Sequence, residues 1–331
     1  MAPEPFVSIV VPTTGRVGYL RGMVTSVARL DYPRDRFELI LLGDVETALL
    51  QRARKLALEG RIALQVIFDP VAAGEKRNRG VAAAQGEFIA FTDDDTILRE
   101  DWLRAAVRHL EANPGYAGVG GPNFTPREGL PFAKAVGRIF GSKFLFRFRY
   151  TAGHDEPREV DHNPTCNYVL RREVVASVGF HSTLWPGEDV EFDIRLQQAG
   201  HRILYAPDVV VWHHRRSRPL AFLQQMFNYG VTRAQVTRMH PGSFDPRHYA
   251  FIGAFVVLAS LYGLAWQQLA AVPWLLPAAL NAAYFGVLGM AGLLVGAQTR
   301  SFKQAFYAPL VLFIQHFGYS LGLLVGLLRR P

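Results

Sequence analysis

From Tyr249 to Thr299 the chain runs 51 residues without an Asp, Glu, Lys or Arg, and the 25 residues from Gln304 to Leu328 again have none of these and a single histidine, His316. A helix rises about 1.5 Å per residue and a bilayer core is roughly 30 Å thick, so the first run suffices for two crossings and the second for one. A turn is expected between the first two, around Gln267 to Pro273. A buried helix pair in a water-soluble core is the other use of such runs, but it does not need this length. The reading is three transmembrane helices over residues 248–331.

The charges fit that placement. The chain is 50% hydrophobic yet carries a net charge of +8. Residues 127–149 hold six Lys or Arg against one acid, and residues 211–248 hold six Arg against one acid. Each cation contributes about 1 kcal/mol beside an anionic leaflet, so anionic membrane lipids are the expected partner. Nucleic acid is the rival for positive charge, but no nucleic-acid motif accompanies it and no nucleic-acid partner is expected.

In 130–150, Phe132, Phe140, Phe144, Phe146 and Phe148 alternate with Lys134, Arg138, Lys143, Arg147 and Arg149. That mixture stacks bases or sits at headgroup level. The spans downstream favour the second, a membrane-interface segment; a core helix with a basic outer face also produces it. Residues 216–247 read as amphipathic interface helices, starting near Pro219 with Phe222, Leu223, Met226, Phe227 and Tyr229.

Met1 to Pro5 lacks the basic and apolar regions of a secretory signal, which predicts a cytoplasmic front domain in a multi-pass protein of the cell membrane. Arg300 and Lys303 then put the second connector inside and the C-terminus outside, with Arg329 and Arg330 pulling mildly the other way. One cysteine, Cys166, rules out an internal disulfide and a cysteine-cluster zinc site.

The first 215 residues have a different grammar. Val7 to Val11 is a β-branched run closed by Pro12-Thr13-Thr14-Gly15, and Leu20, Met23, Val24, Val27 and Leu30 recur at helical spacing. Phe37 to Leu42, Ile62 to Phe68 and Phe88 to Phe91 are further strands, separated by helices over Val45 to Leu58 and Gly74 to Gln85. This rhythm predicts an α/β, Rossmann-like domain with a mainly parallel sheet. More helices are expected near Glu100 to Ala112, Arg171 to Val178 and Val190 to Ala199. Strands are expected at Tyr116 to Pro122, Ile203 to Tyr205 and Val209 to Val211.

Ligands of such sheets sit beyond the carboxyl ends of the strands, where Thr13, Asp44 and Asp93-Asp94-Asp95 all fall. A nucleotide is the natural occupant, yet neither a dinucleotide fingerprint nor a P-loop is present. Three adjacent aspartates repel one another unless water or a cation intervenes, and oxygen ligands suit Mg2+ or Mn2+. A solvated turn capping the next helix is the plainer reading. Glu188 and Asp189 open a helix whose N-terminus favours ionised carboxylates, and capping is again the plainer role. His213-His214 can ligate a metal and Arg215, Arg216 and Arg218 can clamp a phosphate; they can equally face anionic lipid.

Taken together, these residues resemble the inverting family 2 glycosyltransferases of the GT-A fold. The resemblance covers residues 6–215. It rests on Val7-Ser8-Ile9-Val10-Val11-Pro12-Thr13, on Gly74-Glu75-Lys76-Arg77-Asn78-Arg79-Gly80 before Gly86 to Asp95, and on Gly187-Glu188-Asp189-Val190-Glu191-Phe192-Asp193. It implies that Asp95 holds Mn2+ or Mg2+, with Asp93 toward the metal or the ribose; His213, from the histidine pair, is the candidate for a third metal or phosphate contact. It also implies that Asp189 is the base with Glu188 beside it. Donor-binding residues would be Pro12, Thr13, Thr14, Arg16, Asp44, Arg77, Asp93, Asp94, Arg215 and Arg216. The second strand ends in one aspartate, Asp44, where the family usually has two. Gln224 to Gly230 lacks the Gln-x-x-Arg-Trp motif of the polymer-extruding synthases, so transfer of one sugar per encounter is expected, from a nucleotide-diphosphate sugar to a lipid-linked or polyprenyl acceptor. A polyprenyl-phosphate sugar synthase and a non-catalytic membrane carrier of nucleotide sugar are the alternatives.

Overall fold

The computed structural model describes residues 3–14, 17–44, 48–60, 62–142, 155–267 and 274–329. Arg16, Lys143 to Arg149 and residues 268–273, where a turn is expected, lie outside them. The chain divides into two compact units, Met1–Pro126 with Arg147–His214, and Arg127–Phe146 with Arg215–Pro331.

The first unit begins with β1 (Val7–Pro12), α1 (Val17–Val27), β2 (Phe37–Gly43), α2 (Ala48–Glu59), β3 (Ala63–Phe68), α3 (Ala73–Ala83) and β4 (Phe88–Phe91). It continues through β5 (Thr96–Leu98), α4 (Trp102–Ala112), β6 (Tyr116–Gly120) and β7 (Asn123–Phe124), after which α5 (Pro131–Phe140) belongs to the second unit. The chain returns with β8 (Arg158–Val160), β9 (Tyr168–Arg171), α6 (Arg172–Val178), α7 (Glu188–Gln198), β10 (Arg202–Tyr205) and β11 (Val211–His213).

Among the described residues eight strands form one sheet in the order β3-β2-β1-β4-β9-β6-β10-β8, and β5-β11-β7 form a second. β3, β2, β1 and β4 run parallel, as the strand–helix rhythm requires, and β6 and β10 are also parallel to each other. β9 is antiparallel to both of its neighbours and β8 to β10, so the sheet is mixed. Side chains alternate across a strand. Accordingly Val7, Ile9 and Val11 enter a core with Met23, Val24 and Val27 of α1 and Trp102, Leu103 and Leu110 of α4. Val10 and Phe91 enter the opposite core with Val174 and Val175 of α6 and Phe192 and Leu196 of α7. Helices therefore cover both faces, which leaves the carboxyl edge of the strands for chemistry.

The second unit holds α5, α8 (Pro219–Met239), α9 (Ala250–Gln267), α10 (Leu275–Thr299) and α11 (Phe302–Leu328). The last three are long and apolar enough to cross a membrane. α9 and α10 expose large apolar residues such as Val256, Val257, Phe285, Val287 and Leu293, surface that water would not tolerate at this density.

α8 differs from the expected interface helix. Phe222 and Met226 are buried, in one core with Phe132 and Ile139 of α5 and Val311 and Leu312 of α11. The reason lies in α11, where Gly318, Gly322 and Gly326 recur every four residues and form a smooth stripe against which α8 closes backbone to backbone. A Cβ added to Gly322 would stand 1.9 Å from the Phe227 carbonyl oxygen, and one on Gly230 would stand 2.1 Å from that of Tyr319. Arg238 of α8 finishes the contact by donating to the carbonyls of Gly326 and Arg329 at the end of α11, a cation satisfying open helix-terminal acceptors.

Candidate active site

β1 pairs with β2 and β4 so that Pro12 lies opposite Leu42 and Val10 opposite Phe91. That register delivers Thr13, Asp44 and the acidic turn to the same sheet edge. The turn is closed by Thr96, whose backbone N–H and hydroxyl donate to the Asp93 carbonyl at 3.2 and 2.8 Å.

The three aspartates then part company. Asp94 turns inward and accepts a hydrogen bond from the Thr13 hydroxyl at 2.7 Å. Asp93 and Asp95 instead meet His213, with one ligand atom from each lying within 4.8 Å of the others. His213 arrives because β11 pairs antiparallel with β5, setting His213 opposite Thr96, while the His214 N–H donates to the Asp95 carbonyl at 3.0 Å. Its Nε2 is 3.1 Å from Asp95 Oδ1.

Arg77 ties this cluster to the start of α7. Its Nη1 donates to Glu188 Oε1 at 2.6 Å and its Nη2 to Asp93 Oδ1 at 3.1 Å, and its side chain is only 4% exposed. The Phe180 ring lies 5.7 Å from the guanidinium carbon. Both ends of Arg77 are therefore engaged by carboxylates. Lys76, on the next position of α3, donates to Asp44 at 2.5 Å and to the Thr13 carbonyl at 3.3 Å.

Burial raises the Asp93 carboxyl above its ordinary value; Arg77 opposes this and Asp95 adds to it. Glu188 is raised in the same way, by burial first and by Asp189, against the pull of Arg77. At His213 burial favours the neutral ring, but the charge of Asp95, Cys166 and hydrogen bonds to both outweigh it and push the imidazole up to about 10. Burial that raises Asp93 and Glu188, beside an imidazole pushed up to about 10, is a charge balance that a divalent cation would change. Two carboxylates suit Mg2+ or Mn2+, and an imidazole in the set tips the balance to Mn2+, since Mg2+ holds to oxygen.

Gly187 precedes α7 at φ 98°, a conformation that favours glycine, and sets the angle at which Glu188 and Asp189 enter the helix. Glu188 is buried on Arg77, whereas Asp189 stays 22% exposed, with Oδ1 on the Val190 N–H at 2.8 Å. Thr14 is exposed and Pro12 half-buried at the end of β1. Arg215 and Arg216 belong to the second unit, where the Arg215 guanidinium carbon lies 5.8 Å from the Phe140 ring centre.

Sequence reasoning missed His162 and Asp193. Asp193 is 1% exposed and accepts from the His162 Nδ1 at 2.7 Å, the Asn163 N–H at 3.0 Å and the Tyr168 hydroxyl at 3.0 Å. One signal was available: Asp193 lies four positions after Asp189, on the face that also carries the buried Phe192 and Leu196, and an acid there needs partners.

The model of the family described as "Glycosyltransferase like family 2" matches residues 3–230. The chain belongs to this family. A pre-mycofactocin glycosyltransferase of Mycobacterium tuberculosis is 25% identical over 253 residues, 72% of this family 2 chain and 49% of the relative. The chain thus spans about half the length of that curated relative. A dolichyl N-acetyl-α-D-glucosaminyl phosphate 3-β-D-2,3-diacetamido-2,3-dideoxy-β-D-glucuronosyltransferase of Methanococcus voltae is 22% identical, over 70% of this chain and 74% of its own. Among solved structures, the mannosyltransferase PcManGT of Pyrobaculum calidifontis, in complex with GDP-Man and Mn2+, superposes with a TM-score of 0.65. It is 19% identical and covers 95% of this chain and 88% of its own, a likeness of fold. The family 2 chain has the mixed-sheet GT-A architecture.

Proposed function

We propose that the protein moves one glycosyl unit, with inversion, from a nucleotide-diphosphate sugar to a hydroxyl of a membrane-associated, lipid-linked acceptor, and that it does so on the cytoplasmic side of the membrane. The observation that carries this reading is the convergence of Asp93, Asp95 and His213 at the carboxyl edge of the sheet, joined through Arg77 to the helix that bears Asp189. Asp93, Asp95 and His213 would hold Mn2+ or Mg2+, which supplies positive charge for a departing diphosphate. Thr13 with Asp94, and Asp44 with Lys76, form the edge against which the nucleoside would lie. Asp189, exposed where its neighbour Glu188 is tied down, accepts the acceptor's hydroxyl proton. The three apolar helices and the basic segments flanking them support a membrane-bound acceptor, and so does the acceptor named for the Methanococcus voltae relative.

The test uses the full chain purified in detergent, a panel of labelled nucleotide sugars and a membrane lipid extract, with the product identified by mass. Transfer is expected to need added Mn2+ or Mg2+, and Asp189→Asn should lower turnover by about 100-fold or more. Wild-type turnover in Asp189→Asn together with a strict need for lipid phosphate would replace this reading with a polyprenyl-phosphate sugar synthase, whose ionised acceptor needs no base. Donor binding with neither transfer nor hydrolysis would leave a carrier.

A further inference from the structure

Glu188 and Asp189 are adjacent, yet the fold treats them differently. Asp189 stays part-exposed, whereas Glu188 is buried and given over to Arg77, whose Nη1 donates to it at 2.6 Å. The other end of the same guanidinium donates to Asp93 Oδ1 at 3.1 Å, and Asp93 belongs to the group that would hold the cation. Burial works against the charge of Arg77; Glu188 most of all, then Asp93 and Asp189, outweigh it.

Arg77 has little room to leave. Phe180, whose ring lies 5.7 Å from the guanidinium carbon, stacks on Phe192 of α7 at 4.3 Å and stands edge-on to Phe91 of β4 at 5.2 Å. Its backbone is clamped by Asn78, the next residue of α3: Asn78 Nδ2 donates to the Phe180 carbonyl at 2.9 Å, and Asn78 Oδ1 accepts from the Phe180 N–H at 2.7 Å. A cation on Asp93 therefore shares that carboxylate with a fixed positive charge. The two repel by an amount set by the net charge behind the guanidinium. Glu188 supplies a compensating charge in a place closed to water, where salt screens it little.

We propose that Glu188 is a positioning residue of the cation site rather than a second acid of the reaction: it pins Arg77 and offsets the positive charge that the guanidinium brings to Asp93. The inference rests on the reading of Asp93, Asp95 and His213 as the cation site. Coupling of this kind is reciprocal, so the ion in turn favours the ionised, Arg77-bound form of Glu188. The first turn of α7, which also carries Asp189, is thereby held most firmly when the ion is in place.

The experiment measures Mn2+ affinity by titration calorimetry on the full chain in detergent, at about pH 8 to keep the carboxylates ionised, for wild type, Glu188→Gln and the double variant Arg77→Met/Glu188→Gln. Melting temperatures are taken in parallel, and each titration is run well below them. Glu188→Gln keeps the shape but leaves Arg77 uncompensated, and should weaken Mn2+ binding about tenfold. Removing the arginine as well should return affinity to within about threefold of wild type, although the double variant has lost more of the contact. That order separates charge compensation from support of the fold, since a structural role would make the double variant the weakest binder. Equal affinity in wild type and Glu188→Gln would overturn the proposal, as would a double variant that binds no better than Glu188→Gln.

Turnover gives a second readout. In Glu188→Gln, saturating Mn2+ should bring kcat back to within about threefold of wild type, whereas loss of a second acid would leave kcat low at any Mn2+ concentration and refute the assignment. Asp95→Asn separates the two levels of argument. If it abolishes Mn2+ binding while Glu188→Gln binds as wild type does, only this inference falls; if Asp95→Asn itself binds as wild type does, the cation-site reading falls and takes the inference with it.

Discussion

The two units solve opposite problems with buried groups. The sheet unit draws charge into its interior and then has to satisfy it, as Arg77 does between Glu188 and Asp93. The helical unit keeps charge out of its apolar helices and gains closeness instead, through glycines that let α8 and α11 touch along their backbones. Charge placed inside is strongly directional, since each removed partner leaves another stranded. A glycine contact has no such partner, so its failure is steric and local. The same chain therefore couples chemistry to stability in one unit and separates them in the other.

The sharpest break of this contrast is at Arg77. Replacing it by Met keeps the volume but strands Glu188, 7% exposed, and Asp93 without their cation. Breaking a buried pair from one side costs about 3–5 kcal/mol, which corresponds to roughly 10 °C in melting temperature for a unit of this size. Thermal unfolding in detergent, followed by near-UV circular dichroism, measures it. Adding Glu188→Gln should return part of the loss, because the stranded charge is then gone. A single variant that melts within about 1 °C of wild type would show that Arg77 is not the strut described here.

The glycine contact should give less. Gly322→Ala places a methyl where the Phe227 carbonyl oxygen already sits, and overpacking of this kind costs about 1–3 kcal/mol. Gly289→Ala on α10 is the control, since nothing lies within 4 Å of a Cβ there and a better helix former is being added. Melting curves that lower Gly322→Ala and leave Gly289→Ala at or above wild type support the contrast. Equal effects would mean that α8 rests on α11 without close contact.

These differences also explain what could be read before the structure. The buried strands β1, β2 and β4 and the apolar helices α9 to α11 announce themselves because each is a continuous run whose hydrophobicity is its own local property. β5, β7 and β8 are two or three residues long and exist only by pairing, so no run marks them. The antiparallel sense of β9 depends on β4 and β6, far away in sequence. The strand near residue 210 falls at Val211–His213, later than Val209–Val211, because pairing with β5 decides it. In the site, Asp93 to Asp95 and Glu188-Asp189 stand out as charge at strand and helix ends. The split of Asp94 from its neighbours does not, because it depends on Thr13 being 81 residues away. Phe222 and Met226 were legible as an apolar face, but its covering came from the glycine spacing of α11, which a reading by hydrophobicity passes over.

The smallest effect expected sharpens the comparison from the chemical side, because it asks whether the charge gathered in the sheet unit is there for a cation. His213 is pushed up to about 10, so in the ion-free protein it is protonated at neutral pH, and an imidazolium cannot ligate a metal. Ion binding must release that proton. The sign follows: below about 10, raising the pH removes a competitor and tightens binding, so apparent Mn2+ affinity should rise by about one decade per pH unit between roughly pH 6 and 8. Titration calorimetry in two buffers of different ionisation enthalpy counts the proton directly. His213→Asn should bind Mn2+ more weakly but flatten the pH dependence, since the group that competes has gone with the group that ligates. A His213→Asn protein that binds as tightly as wild type, with the same slope, would remove His213 from the ligand set and leave the two aspartates to hold the ion with water.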